Sequence, residues 1–263
     1  MSITDSQQHS GQPRAKLALL TWAGAYAVIM LVLAIDTALE ACAAAVLDTE
    51  SGSLLAGEQL AMARGHAEAL MPLVERVMVT ADVGFGALDR IAVTTGPGSF
   101  TGLRVGISAA RGFALAAARP VVGVTTLSAF AAPFVAEGGD HPIMSAIDAR
   151  HDQVYCQTVQ GDGAVLQPPR LVPVAEALSA ARFGAPLITG NAARLIAGRW
   201  PADAPPPLRV EASAAPDIAW VAWLGAAADP ASALARPLYL RAPDARPQAS
   251  PLAAAGRNAA PSA

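Results

Sequence analysis

The sequence predicts an α/β fold made of two duplicated subdomains, and three observations support this prediction. A buried strand that ends in an acid at Asp36 recurs at Asp148, and each copy continues with a polar turn, a second strand, a glycine turn and a third apolar strand. Between the copies, from His66 onward, the period of the apolar residues changes from that of a strand to that of a helix. The chain has 263 residues, of which 53% are hydrophobic, enough to bury a sizeable core.

Strands and helices can be assigned in order along both copies from their periodicity and their turn residues. The elements predicted for the first copy are strands at residues 31–36, 41–47 and 53–58, an amphipathic helix from His66, a strand at 90–95, a helix at 101–118 and a strand at 120–124. Those predicted for the second copy are strands at residues 146–148, 153–159, from 165 onward and 186–189, and a last helix at 216–228.

The same pattern divides the chain into five parts. They are an extension outside the fold (1–29), a first subdomain (30–125), a second subdomain (126–215), a C-terminal helix and segment that returns to the first subdomain (216–243), and a disordered tail (244–263). An uncharged run at residues 17–35 is long enough to cross a membrane. We favour the alternative that an upstream extension abuts the first strand, with Met30 as the natural start, and we predict no membrane association.

Composition excludes several classes of protein. A net charge of −3 argues against an autonomous nucleic-acid binder, which needs a basic face. Lys16 is the only lysine, which argues against a P-loop or a Schiff-base enzyme. No histidines or cysteines have the spacing of metal ligands, so we expect no metal site. Cys42 and Cys156 are far apart and fall in predicted strands, which indicates buried, inert thiols and a reducing, cytoplasmic location.

Four residues are candidates for a nucleotide site. An acid at the end of the first strand of a β-hairpin, present in both halves, is how actin-like and sugar-kinase-like folds flank a nucleotide and hydrated magnesium. Asp36 and Asp148 fit this arrangement; the alternative is that both are strand-terminating turn residues left over from a scaffold. Gly98 and Ser99 lie in the run Gly-Pro-Gly-Ser-Phe-Thr-Gly, where glycines let backbone amides approach an anion and Ser99 or Thr101 can cap the following helix.

A further pattern lies on that following helix. Gly102, Gly106 and Ala110 recur every four residues and form a small-residue face that another helix could approach closely. Packing within the chain and contact with a second chain are both open interpretations. His66, which begins the other predicted helix, is expected to be a cap or a surface residue.

Several motifs together resemble the TsaB (YeaZ) family over residues 30 to about 244. They are Leu-Ala-Ile-Asp-Thr at 33–37, His-Ala-Glu at 66–68, the glycine-rich run at 96–106 with Arg-Gly at 111–112, Ile-Asp-Ala-Arg at 147–150 with Val-Tyr at 154–155, and Tyr-Leu-Arg at 239–241. The resemblance implies an actin-like/ASKHA (ribonuclease-H-like) fold of two duplicated subdomains. It also implies a non-catalytic paralogue that dimerises with the transferase TsaD, for N6-threonylcarbamoyladenosine modification of tRNA beside the anticodon.

The resemblance further implies no catalytic residue, metal or cofactor of the chain's own, with ATP or ADP and Mg²⁺ at the partner interface as the only candidates. The catalytic paralogue carries a metal-binding HxxxH motif, and the corresponding positions here are Thr126 and Phe130, which cannot replace imidazole ligands. The family often has Asp-Thr-Ser at the first hairpin, whereas Ala38 stands here in place of the serine. This loss of a hydroxyl weakens the case for an ATP site.

The partners implied by the resemblance are TsaD, the ATPase TsaE in a wider complex, tRNA through that complex, and a second copy of the chain when it is alone. The family interface uses the first two helices, and eight residues carry over: Leu70, Leu73, Val74, Val77, Gly102, Leu103, Gly106 and Ala110. A bulky charge at Gly106 is expected to abolish partner binding and leave the fold intact. The alternatives are an ATP-binding actin-like kinase that uses Asp36 and Asp148, and a peptidase homologue that uses Ser99 or a histidine-bound metal.

Overall fold

The computed structural model describes residues 29–241. The predicted N-terminal extension, except for its last residue, and the predicted tail at 244–263 lie outside the described residues, as does the first part of the apolar run at 17–35. The last part of that run forms a buried strand, as the favoured interpretation predicts. Within residues 29–241, no helix is long and apolar enough to cross a membrane.

The described chain contains ten strands, six α-helices and two short 3₁₀ helices. The strands are β1 (Leu31–Asp36), β2 (Ala41–Asp48), β3 (Ser53–Ala61), β4 (Arg90–Gly96), β5 (Val121–Thr125), β6 (Ile143–Asp148), β7 (Gln153–Val159), β8 (Val165–Pro173), β9 (Leu187–Thr189) and β10 (Arg209–Glu211). The helices are α1 (His66–Ala81), α2 (Phe100–Ala117), α3 (Thr126–Glu137), α4 (Val174–Ala177), α5 (Ala193–Ala197) and α6 (Ile218–Ala227), and the 3₁₀ helices are Phe85–Ala87 and Leu178–Phe183.

Two five-stranded sheets with the same strand order confirm the predicted duplication. The first sheet has the order β3-β2-β1-β4-β5 and the second has the order β8-β7-β6-β9-β10. In each sheet the first three strands form an antiparallel meander. The fourth strand pairs in parallel with the first strand of that meander, and the fifth pairs in parallel with the fourth. Asp36 and Asp148 therefore occupy equivalent positions at the ends of β1 and β6.

Helices cover both faces of the first sheet. Helices α1 and α2 bury their apolar stripes on one face, and α3 and α6 cover the other. Helix α6 is fastened there by Arg90, whose Nη1 donates to the carbonyls of Gly225, Ala226 and Ala228 at 3.0, 2.8 and 2.7 Å. These bonds satisfy carbonyl groups that the end of a helix leaves without partners.

Helix α3 was not predicted from the sequence, and it packs against both sheets. Ala129, Ala132 and Ala136 contact the first sheet, whereas Phe134 and Val135 contact the second. Nine of its twelve residues are buried, so apolar residues lie on every side of the helix. Its sequence therefore has no amphipathic period that would predict a helix. The chain crosses from the first sheet to the second at α3, and it returns to the first sheet at α6.

Candidate functional site

Asp36 is fully buried at the end of β1. Its Oδ1 accepts hydrogen bonds from Thr94 Oγ1 at 2.5 Å and from the backbone N–H of Ala38 at 2.9 Å. Its Oδ2 has no hydrogen-bond partner among the described residues. Burial raises the pKa of the Asp36 carboxyl, and the two hydrogen bonds and the nearby His66 only partly oppose that rise. The carboxyl therefore sits inside the subdomain rather than on an open phosphate-binding edge.

The glycine-rich loop packs tightly on the turn between β1 and β2. The backbone N–H of Ser99 donates to the carbonyl of Ala38 at 2.7 Å, and a Cβ at Gly98 would overlap that same carbonyl. Ser99, one of the two predicted capping residues, is the N-cap of α2, and its Oγ accepts from the N–H of Gly102 at 3.3 Å. The amide and hydroxyl of Ser99 are thus used by the chain itself, and no histidine among residues 29–241 hydrogen-bonds Ser99, as a serine peptidase would require.

Asp148 is exposed and shapes a turn. Its Oδ1 accepts from the N–H of Arg150 at 2.8 Å, and its own N–H donates to Oδ1 of Asn191 at 2.8 Å. Three successive residues of this turn, Arg150, His151 and Asp152, have positive φ. Within the described chain, no hydrogen bond joins Asp148 to Asp36, so the structure supports the interpretation of Asp148 as a turn residue.

Apolar side chains surround the positions that correspond to the metal ligands of the catalytic paralogue. Phe130 packs in a buried cluster with Leu127 of α3 and Ile147 of β6, and Leu39 and Tyr155 pack against it from the two hairpins. Thr126 is fully buried. No group of three or more histidine, cysteine or acidic side chains that could hold a metal occurs in residues 29–241. The space between the hairpins is thus apolar, and the amide and hydroxyl of Ser99 in the glycine-rich loop already bond to the chain itself. This packing does not fit a nucleotide and magnesium held between the hairpins.

The eight residues predicted for a partner interface face the interior of the chain, which corrects that assignment. On α1 the inward residues are Leu70, Leu73, Val74 and Val77, and on α2 they are Gly102, Leu103, Gly106 and Ala110. A Cβ at Gly102 would overlap the Thr37 carbonyl, and one at Gly106 would overlap Thr37 Oγ1. The small-residue face therefore receives the β1–β2 turn of the same chain. A bulky charge at Gly106 would disturb this packing, contrary to the sequence-based expectation.

The outward face of the same two helices carries exposed apolar residues. Val79 and Met71 on α1 are 74% and 54% exposed, and Leu115 and Phe100 on α2 are 86% and 54% exposed. The sequence analysis did not predict these residues, because it assigned the partner interface to the longer apolar stripe, which faces inward. The available signal was the presence of large apolar side chains outside that stripe.

His66 and the cysteines have structural contacts. The prediction that His66 is a cap or a surface residue is wrong. Its side chain is 9% exposed, and its Nε2 donates to the Leu39 carbonyl at 3.0 Å. Both cysteines are buried, as expected. Burial raises the pKa of the Cys42 thiol to about 11, with a further contribution from the nearby Asp36, and burial also raises that of Cys156. Both thiols therefore stay protonated at neutral pH.

The two sheets of equal topology, with their crossing helices, define a protein of the actin-like α/β fold. Solved structures support this class. YeaZ from Pseudomonas aeruginosa superposes with a TM-score of 0.64 at 28% identity. A second P. aeruginosa structure, described as similar to peptidase YeaZ, gives 0.68 at 30% identity, covering 81% of this chain and 100% of that one.

The family model described as TsaD, tRNA N6-adenosine threonylcarbamoyltransferase, matches residues 60–258. The Escherichia coli protein named tRNA threonylcarbamoyladenosine biosynthesis protein TsaB is 38% identical over 133 residues. An uncharacterised Mycobacterium tuberculosis protein is 35% identical over 225 residues, covering 84% of this chain and 96% of that protein. The chain belongs to this TsaD-related family, in its TsaB/YeaZ branch. The matches span about half the length of the TsaB proteins of E. coli and Haemophilus influenzae, 56% and 52% respectively.

Proposed function

We propose that this chain is a non-catalytic subunit in the synthesis of N6-threonylcarbamoyladenosine in tRNA, and that it binds and supports the transferase TsaD. The observation that carries the proposal is the pairing of two features in one chain. The space between its hairpins is filled by apolar side chains around Phe130, while the outward face of α1 and α2 leaves large apolar side chains in water. The names of its relatives supply the pathway.

The proposed contact surface is the outward face of α1 and α2, centred on Met71, Val79 and Leu115. Solvent-exposed apolar side chains on neighbouring helices gain free energy when a partner removes them from water. Near the C-terminal end of α2, Phe85, which is 38% exposed, stacks on Phe113 with ring centroids 5.1 Å apart. The same surface would serve a second copy of the chain when TsaD is absent.

In this proposal the chain acts by binding its partner, and it carries out no step of the transfer reaction itself. A subunit that binds only the active arrangement of its partner shifts the population of that partner towards the active arrangement. On this proposal TsaD holds the reacting groups, TsaE and tRNA join through the complex, and any ATP or ADP with Mg²⁺ lies at the interface between subunits. The proposed location is the cytoplasm.

The test compares two charge substitutions at exposed leucines. Leu115→Glu should abolish binding to TsaD and the threonylcarbamoyl transfer that depends on it, because it places a carboxylate in the apolar surface. Leu208→Glu is the matched control, since Leu208 is 62% exposed and lies beside the second sheet, where its N–H donates to the Pro186 carbonyl at 2.9 Å. Binding is measured by calorimetry, and transfer to tRNA is measured with the complete pathway.

Three results would contradict the proposal. Equal binding of both variants would remove this surface from consideration. Transfer that proceeds equally with and without the chain would remove the subunit role altogether. Transfer by this chain alone would contradict its non-catalytic status.

A further inference from the structure

Two exposed aromatic rings lie together at the start of α2. Phe100 and Tyr239 are 54% and 49% exposed, and their ring centroids are 5.5 Å apart with the ring planes inclined by 34°. The guanidinium carbon of Arg104 lies 3.8 Å from the centroid of the Phe100 ring, and Arg104 Nε donates to the Tyr239 hydroxyl at 3.4 Å. The cation–π contact and the hydrogen bond join these three residues in an exposed aromatic cluster.

The two segments that carry the aromatic cluster have positive charges only. Helix α2 and residues 230–241 contain four arginines and no aspartate or glutamate, whereas the whole chain has a net charge of −3. These arginines are Arg104, Arg111, Arg236 and Arg241. Within the described chain none of them forms an ion pair, and Arg111 donates to a neutral acceptor, the Ala235 carbonyl, at 2.6 Å. Their positive charge is therefore not neutralised by the chain itself.

Arg241 extends this positive charge from the aromatic cluster towards the second hairpin. It lies two residues beyond Tyr239, which is at most about 7 Å along the chain. Its guanidinium also donates to neutral acceptors, the Ala149 carbonyl and Gln153 Oε1. The turns of the two hairpins carry charges of both signs, namely Glu40, Asp148, Arg150 and Asp152, the last of which pairs with Arg199. The uniformly positive surface is thus limited to α2 and residues 230–241.

The aromatic cluster is separate from the centre of the surface proposed for TsaD. Phe100 begins α2, and Leu115 lies fifteen residues further along the same helix, a distance of about 22 Å. Tyr239 belongs to neither α1 nor α2, because it lies in the segment that follows α6. A substitution at Tyr239 can therefore test the cluster without changing the helices proposed to bind TsaD.

We propose that the aromatic cluster and its arginines bind a single-stranded stretch of RNA. Unpaired bases stack on exposed aromatic rings and on arginine guanidinium planes, while arginines neutralise the neighbouring phosphates. An acidic protein surface would satisfy the arginines alone, whereas single-stranded RNA matches the arginines and the exposed rings together. The choice of RNA over DNA rests on the proposed function, in which tRNA is the substrate. Because the net charge of the chain is negative, we expect this surface to add to the tRNA contacts of the TsaD complex rather than to replace them.

Titration of the full chain with a short oligouridine, followed by NMR, tests the proposal in the absence of TsaD. We expect saturable shifts of the ring resonances of Phe100 and Tyr239, and an affinity that falls as the salt concentration rises. The same oligouridine annealed to oligoadenosine should bind more weakly, because its bases are paired. Polyglutamate, which offers negative charge without bases, should bind about tenfold or more weakly than oligouridine.

Substitutions at Tyr239 separate stacking from charge. Tyr239→Ala should weaken oligouridine binding about tenfold, because it removes a stacking ring, whereas Tyr239→Phe should stay within about twofold of the unaltered chain. Arg104→Gln should also weaken binding and reduce the logarithmic salt slope by about 0.7. Arg182→Gln is the matched control and should change neither quantity. The Arg182 guanidinium carbon lies 4.7 Å from the centroid of the Phe183 ring, in the 3₁₀ helix Leu178–Phe183 beside the second sheet.

Measurements with TsaD distinguish this inference from the proposed function. Tyr239→Ala should bind TsaD with the affinity of the unaltered chain, and its complex with TsaD should have a raised KM for tRNA with an unchanged kcat for transfer. An unchanged KM would contradict the RNA surface while leaving the subunit role intact. Failure of the unaltered chain to bind TsaD would contradict the proposed function, whereas the oligouridine titration would still support the RNA surface.

Three further outcomes would overturn the proposal. The first is the absence of saturable ring shifts with oligouridine. The second is binding of duplex RNA or polyglutamate as tight as that of oligouridine, and tight polyglutamate binding would assign the surface to an acidic protein instead. The third is an unchanged oligouridine affinity in Tyr239→Ala, or equal losses in Arg104→Gln and Arg182→Gln.

Discussion

Asp36 occupies the motif position at which actin-like folds hold magnesium, but its surroundings differ from those of a magnesium site. The acid stands at the end of the first hairpin strand, where actin-like folds hold magnesium, but its side chain is fully buried. Thr94 and the Ala38 amide bind one carboxyl oxygen, and the other has no partner in the described chain. A carboxyl in this setting is better suited to the neutral form than to holding a hydrated cation.

Replacing Asp36 should change how the free energy of unfolding depends on pH, because the carboxyl is buried. Because burial raises the folded pKa above the ordinary value of 3.8, the stability that Asp36 contributes is complete below that value and is lost as the pH rises through the folded pKa. Each unit of elevation corresponds to about 1.4 kcal/mol. Asp36→Asn keeps an Oδ1 acceptor for Thr94 and Ala38 and does not titrate.

Urea denaturation from pH 4 to pH 8 measures this effect. The stability of the unaltered chain relative to Asp36→Asn should decrease as the pH rises. Asp148→Asn is the control for the loss of one carboxyl, because Asp148 is exposed rather than buried. A curve for Asp36→Asn that runs parallel to that of the unaltered chain would show that the folded pKa of Asp36 is not raised.

At the scale of the element, two of the three glycines of α2 differ in what a side chain would meet. Gly102 lies against the Thr37 carbonyl, where a Cβ would overlap backbone, whereas a Cβ at Gly112 would meet nothing within 4 Å. Gly102 permits close packing of the helix on the β1–β2 turn. Gly112 has no such contact and leaves only the entropic cost of glycine within a helix.

Alanine substitutions at these two glycines should therefore change stability in opposite directions. Gly102→Ala should lower the free energy of unfolding by about 2–3 kcal/mol, because the turn must move to admit the methyl group. Gly112→Ala should raise it by about 0.5–1 kcal/mol, since alanine loses less entropy in a helix. Denaturant midpoints of the two variants check this, and a stable Gly102→Ala chain would disprove the close packing.

At the scale of the whole molecule, the segment after α6 connects the two sheets. The N–H of Leu238 donates to the Thr95 carbonyl of β4 at 2.8 Å. Three residues further on, Arg241 Nη2 donates to the Ala149 carbonyl at 2.9 Å and to Gln153 Oε1 at 2.8 Å, both in the second hairpin. The segment thus bonds to one sheet near its start and to the other near its end.

Removal of the Arg241 side chain should loosen that second attachment. Arg241→Ala should speed amide hydrogen exchange at residues 149–153 and lower stability by about 1–3 kcal/mol, because two hydrogen bonds from a charged donor are lost. Arg236→Ala is the matched control on the same segment, since Arg236 is exposed. Unchanged exchange at residues 149–153 in Arg241→Ala would mean that these bonds do not hold the hairpin.

The sequence by itself determined the elements whose apolar residues recur with a clear period. It gave the strands β1 and β7 to the residue, the two meanders, and the beginning of α1 at His66. The repeated acid and the order of elements were sufficient to predict the duplicated fold. The capping role of Ser99 was also readable, because it depends on residues only three positions apart.

Only the tertiary structure decided which surface each element meets. The stripe of Leu70, Leu73 and Val74 was visible in the sequence, but its burial against the chain's own sheet was not. The packing of helix α3 and the burial of Asp36 depend on segments that are distant in sequence. A local sequence pattern predicts which side chains avoid water. Which surface covers those side chains is decided only when the whole chain has packed.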